Sequence, residues 1–79
     1  MSTQSEIDLS VIQICNYMGL DVKLPSEVNV KDAWREFIHS KDGKNSISSQ
    51  VWRDKCIRDQ VVGKVREFYK ERRRKELGR

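Results

Sequence analysis

Very little in this 79-residue chain is equipped for chemistry at a fixed centre. There is one histidine, His39, and the two cysteines, Cys15 and Cys56, lie far apart with no CxxC pair. A zinc site needs about four nitrogen or sulfur ligands, and three scattered ones do not supply it. The four glycines, Gly19, Gly43, Gly63 and Gly78, are dispersed, and none opens a GxGxxG or a GKS/T phosphate loop. HExxH and GxSxG are absent as well. No apolar run exceeds two or three residues, so no segment is expected to span a bilayer. Residues 1–6 are polar and carry no Lys or Arg, unlike a secretory signal. A domain of this size hides only about 60% of its unfolded surface, which leaves a thin core and little room for a buried catalytic apparatus. The chain is therefore expected to be non-enzymatic, to carry no cofactor or metal, and to work by binding.

What the chain has in quantity is charge, unevenly placed. The net charge is +4. From Lys64 to Arg79 there are eight basic and three acidic residues, a balance of +5, while residues 1–63 hold eight basic and nine acidic, a balance of −1. The first 22 residues contain Glu6, Asp8 and Asp21 and nothing basic. Pairs such as Glu71–Lys75 and Glu67–Lys70 are available within a helical tail, at a few tenths of a kcal/mol each. They leave Arg66, Arg72, Arg73, Arg74 and Arg79 largely uncompensated. A cationic end built around Arg66, Lys70, Arg72, Arg73 and Arg74 is attracted to nucleic acid, an anionic membrane surface or an acidic protein segment, and the sign of the charge does not choose among them.

The apolar residues recur with helical and not strand periodicity. Ile7, Val11, Ile14 and Met18 form one stripe, with Ser5 and Asp8 as a capping box before it and Gly19 closing it. Leu20 to Val28, with the single proline, reads as a connector packed by Leu20, Val22 and Leu24. Asn29 is placed as an N-cap with Asp32 in the first turn. Val30, Ala33, Trp34, Phe37 and Ile38 follow the i, i+3, i+4, i+7, i+8 pattern of a helix that Gly43 stops. A third region starts at a Ser48 cap, stapled by Ile47 and Trp52, and continues through a stripe of Ile57, Val61, Val65 and Phe68, widened by Val62 and Tyr69. Trp52 and Cys56 fall on the far side of a straight wheel from Val61. Two segments, roughly 48–56 and 58–75, are expected, bending or breaking near Asp54 to Asp59. The fold class is thus all-α: a small single domain, 1–79, of three to four helices ending in a long basic helix, with an ordered core over about 5–70 and a fraying 70–79.

Individual residues then acquire expectations. Both cysteines sit beside isoleucines and read as reduced core residues in a reducing cytosol. Trp34 is placed in the core; Trp52 either packs under the connector or stands exposed as an interface anchor, a role for which tryptophan is enriched. His39 lies about 140° from Trp34 on the helix wheel, beside Arg35 and Asp32. It is either a plain surface histidine near a helix end or part of a contact face Asp32–Arg35–His39. Arginine at position 39 is expected to leave folding intact. A helix-turn-helix can also be assembled from helix 30–41, the turn at Gly43 and a helix from Ser48. It would aim Ser49, Gln50 and Arg53 at a major groove and Lys44, Lys55, Arg58 and the tail at phosphates, although Asp54 and Asp59 oppose that use.

In size, polar all-helical make-up, basic C-terminus and the solitary histidine within Ala33-Trp34-Arg35-Glu36-Phe37-Ile38-His39-Ser40, the chain resembles the cytoplasmic antiholins of T-even phages, which belong to the rapid-lysis proteins. The resemblance implies a cytoplasmic protein of an infected bacterium, peripheral to the inner membrane, that binds the short cytoplasmic N-terminal segment of the phage holin. It implies delayed hole formation and a longer infection cycle, with His39 the first position to test. A small helix-turn-helix-like nucleic-acid-binding regulator is the alternative.

Overall fold

The computed structural model describes residues 3–19 and 21–78, and within them the chain forms four helices and no strand: α1 (Thr3–Met18), α2 (Glu27–His39), α3 (Ile47–Val51) and α4 (Lys55–Leu77). The expected all-α domain with a long basic C-terminal helix is what forms. At about 1.5 Å per residue, the 23 residues of α4 span roughly 35 Å and account for most of the molecule's 39 Å long axis. α1 lies against both α3 and α4, and α2 closes the other side.

α2, α3 and α4 each start where a short side chain accepts backbone N–H groups, and several helix starts differ from the sequence expectation. α2 begins one turn before Asn29. Ser26 is the N-cap and accepts from the Asn29 N–H at 3.1 Å, while the Ser26 N–H donates to Asn29 Oδ1 at 3.3 Å. Asn29 therefore occupies the third position of a capping box, and Glu27 rather than Asp32 lies in the first turn. α3 is capped by Ser46, not Ser48, because Ser48 is drawn into the core; the proposed Ile47–Trp52 staple dissolves with that shift. Ser5 lies inside α1 and is no cap. The break in the third region falls at Trp52–Asp54, slightly earlier than expected, where Asp54 caps α4 by accepting from the N–H groups of Cys56 and Ile57 at 2.9 and 3.2 Å. Gly19 closes α1 as expected, in the left-handed region at φ +86° with its N–H donating to Cys15 O. α2 ends at His39 with Ser40 as its cap, three residues before Gly43.

The core gathers Ile7, Ile14, Cys15, Val30, Trp34, Ile38, Val51, Val61, Val62, Val65 and Tyr69. Trp34 is its centre. It is fully buried, meets Trp52 edge-on with ring centroids 4.9 Å apart, and donates its indole N–H to Ser48 O at 3.1 Å. Ser48 in turn donates its N–H and hydroxyl to Gln13 Oε1 at 3.1 and 2.7 Å. One chain of hydrogen bonds thus joins α1, α3 and α2 through donors that would otherwise be buried without partners. Tyr69 does the same for α4, donating its hydroxyl to Gly19 O at 2.6 Å. Tyr69 is fully buried and Phe68 is 42% exposed, the reverse of the order expected from the stripe. Leu24, expected to pack the connector, is 41% exposed, and Leu20 lies outside the described residues.

The turn between α2 and α3 looks loose in sequence but is closed by its serines. Ser40 Oγ bridges from Phe37 O to the Gly43 N–H, and Ser46 Oγ donates to Gly43 O at 2.8 Å. Gly43 is buried so tightly that a Cβ there would overlap the Phe37 carbonyl, whereas a Cβ on exposed, helical Gly63 meets nothing within 4 Å. Opposite outcomes are expected from one substitution. Gly63→Ala should stabilise by about 1 kcal/mol through helix propensity, and Gly43→Ala should destabilise by about 2 kcal/mol or more because backbone atoms have to move. Urea denaturation of the two variants checks this, and equal effects would contradict the described turn.

The cysteines part company. Cys15 is buried as expected, and burial pushes its thiol up to about 11, whereas Cys56 is exposed on α4 and is not a core residue; neither forms a disulfide. A thiol reagent should modify one cysteine rapidly in the native protein and the second only on unfolding. Because the folded state holds Cys15 neutral, its contribution to stability is intact below the ordinary value of 9.0 and is lost as the pH climbs from there toward about 11. Two fast thiols at neutral pH would place Cys15 outside the core.

Candidate functional site

The residues singled out in the sequence divide into three places. Asp32, Arg35 and His39 all lie exposed on one outer face of α2, as the wheel implies. Trp52 is not on that face. It is half-buried, edge-on to Trp34 and with the Arg58 guanidinium 4.5 Å from its ring centroid, so much of the indole is taken up in packing within the chain. Among the helix-turn-helix candidates, Gln50 and Arg53 are exposed and Ser49 is half-buried, while Ser48 and Val51 hold the five-residue α3 down on the core. Such a helix is only about 7 Å long, short for a recognition helix.

The basic end is less bare than the sequence suggests. Arg66 is half-buried and donates its Nε–H to Pro25 O at 3.0 Å, clamping α4 to the connector. Arg72 lies 3.7 Å from Glu76, Arg74 3.5 Å from Glu71 and Lys70 3.7 Å from Glu67. Glu71 therefore pairs with Arg74 in place of the expected Lys75. Those pairs are solvent-exposed and worth about 1 kcal/mol or less, so the cations remain available to a partner. Arg73 has no acidic partner among the described residues.

The concave features lie elsewhere, on α4 and its neighbours. Between α1 and α4 runs a groove of about 390 Å³ lined by Val11, Ile12 and Phe68 and rimmed by Asp8, Lys64, Glu67 and Glu71. Ile12 is 55% exposed, and Leu9, one turn earlier on α1, is also exposed. Lys64 and Asp8 face each other across it at 3.9 Å. Three carboxylates and one ammonium lie on this rim, each carboxylate within 4 Å of a cation (Lys64, Lys70 or Arg74) in an exposed pair that a partner's basic residue can take over. Around the other side of α4, a cleft of about 450 Å³ is lined by Leu24, Lys70, Arg73, Arg74, Leu77 and Gly78. Nine residues turn a helix through two and a half revolutions, so Phe68 of the groove and Leu77 of the cleft emerge on opposite sides of α4.

Sequence reading missed both features. A signal for the groove was present: α1 carries Leu9 and Ile12 beyond the stripe it needs for the core, a surplus of apolar residues facing outward. The groove also needs Phe68 turned out, which the stripe assigned to the interior. Among the described residues, no group of three or more His, Cys, Asp or Glu is positioned to hold a metal ion, and no helix is long and apolar enough to cross a membrane. The chain matches no protein-family model, no curated protein and no solved structure.

Proposed function

We propose that this chain is a non-enzymatic regulator that acts by binding another protein, and that the groove between α1 and α4 receives an amphipathic helix of that partner. The observation that carries this reading is the coincidence of exposed apolar side chains, Ile12 and Phe68 with Val11 beneath, inside a concave, carboxylate-rimmed surface of the right chemistry for helix-in-groove recognition. Isolated exposed hydrophobics are ordinary; several lining one groove are the usual mark of an interaction site. Complementarity assigns the partner helix apolar anchors at i, i+3 or i+4 and i+7, flanked by basic residues. The antiholin resemblance gives this regulator a biological context, in which the partner segment is the cytoplasmic N-terminus of a phage holin and the outcome is delayed lysis, with Asp32, Arg35 and His39 as a second contact face.

The test is retention of the full chain on an immobilised peptide of that holin segment, alongside duplex DNA at low salt. Retention on the peptide and not on DNA is expected. Retention on DNA that falls steeply with salt, without peptide binding, would replace this reading with the nucleic-acid one, since such a slope counts neutralised phosphates.

A further inference from the structure

We propose that the cleft at the junction of α4 with the α1–α2 connector is a docking site for an anionic lipid surface. Leu24 and Leu77, 41% and 72% exposed, line it together with Lys70, Arg73 and Arg74, and no carboxylate contributes to the lining. The adjoining cleft of about 360 Å³ continues this surface through Lys23 and Arg72, sharing Arg73 and Leu77. It also contains Asp21 and Glu76, so the cationic character concentrates on the Leu24–Leu77 side.

Both halves of that lining bear on which polyanion fits. Three cations alone would suit a nucleic-acid backbone as well as a headgroup layer. Two leucines projecting among them would gain nothing from a phosphodiester chain, which offers no apolar layer to receive them. At a bilayer interface the same pair enters the boundary between headgroups and acyl chains while the cations meet anionic headgroups. Long Lys and Arg side chains suit this geometry, since their stems lie along apolar surface with the charge at its edge. The ion pairs of Lys70 with Glu67 and Arg74 with Glu71, at 3.7 and 3.5 Å, are exposed and exchange readily for lipid phosphates. Arg66 clamps α4 to Pro25, one residue after Leu24, which holds the two leucines in register on one surface.

The experiment is co-sedimentation of the full chain with phosphatidylcholine vesicles containing or lacking phosphatidylglycerol, with duplex DNA as the competing polyanion. Binding only to the anionic vesicles is expected. Arg73→Gln with Arg74→Gln should weaken it by about twenty-fivefold, at about fivefold per cation near the surface. Leu24→Ser with Leu77→Ser should weaken it by about tenfold at unchanged net charge. All four side chains are exposed, so thermal melts should stay close to that of the parent chain. Phe68→Ser in the opposite groove should leave vesicle binding unchanged, which separates this site from the partner groove. No binding to anionic vesicles, binding indifferent to the leucine pair, or tighter binding to DNA than to vesicles would each overturn the proposal.

Discussion

Trp34→Ala is expected to remove most of the stability of this protein. The indole is fully buried at the meeting point of α2, α3 and Trp52. Truncating such a side chain costs about 3–5 kcal/mol through lost transfer energy and the cavity left behind. A domain of this length has a total of only about 4–12 kcal/mol to lose. The substitution also removes one of the two hydrogen bonds that Ser48 O accepts, leaving it the Trp52 N–H at 3.0 Å, so the polar link from Gln13 no longer reaches α2. Trp34→Phe isolates that last effect, because most of the ring remains while the donor goes; about 1–2 kcal/mol is expected for the lost hydrogen bond together with the smaller ring, since Ser48 O keeps the Trp52 N–H. Urea unfolding followed by far-ultraviolet circular dichroism reads both variants. A Trp34→Ala protein that unfolds within a few tenths of a kcal/mol of the parent would remove Trp34 from the centre of the fold.

The second large effect is on binding and not on stability. Ile12→Ser and Phe68→Ser should each reduce affinity for the partner helix by about thirtyfold, the loss that corresponds to an interface hot spot of about 2 kcal/mol. Their side chains are about half exposed, so the melts should move little. His39→Arg is the informative companion, since His39 is exposed on α2 and its replacement removes no buried contact. Binding that survives the groove substitutions and fails with His39→Arg would move the interface from the groove to the α2 face. Binding that fails with the groove pair and tolerates His39→Arg would leave the groove as the sole anchor.

Helix number, the buried stripe of α2 and the interruption near Asp54 were legible because each depends on local periodicity, which a sequence carries openly. Cap positions were less so. The segment from Ser26 to Asn29 contains two good capping residues three apart, and the choice between them rests on a reciprocal pair of hydrogen bonds that spacing alone does not reveal. Phe68 and Tyr69 posed a similar tie, since adjacent positions differ by about 100° and either could face inward. The tie is broken by a distant group, the Gly19 carbonyl, which gives the buried Tyr69 hydroxyl a partner that Phe68 would not need. Ser48 was read as a cap for want of any sign that Gln13, on another helix, would accept both its donors. The groove and the lipid-facing cleft were illegible for the same reason: each combines α4 with an element from the first third of the chain, and no pattern along one segment records that juxtaposition. The charge asymmetry was visible throughout, but its division into a carboxylate-rimmed groove and a cationic cleft needed the helix to be rolled into place.

Because the groove and the cleft open from opposite sides of α4, occupation of one does not obstruct the other. A molecule resting on a bilayer through Leu24 and Leu77 would turn Ile12 and Phe68 away from the lipid. Tethering of that kind replaces a search through volume with a search across a plane, so a modest intrinsic affinity becomes a high occupancy by raised local concentration. Only a segment emerging beside the bilayer, and not one embedded in it, would then be within reach.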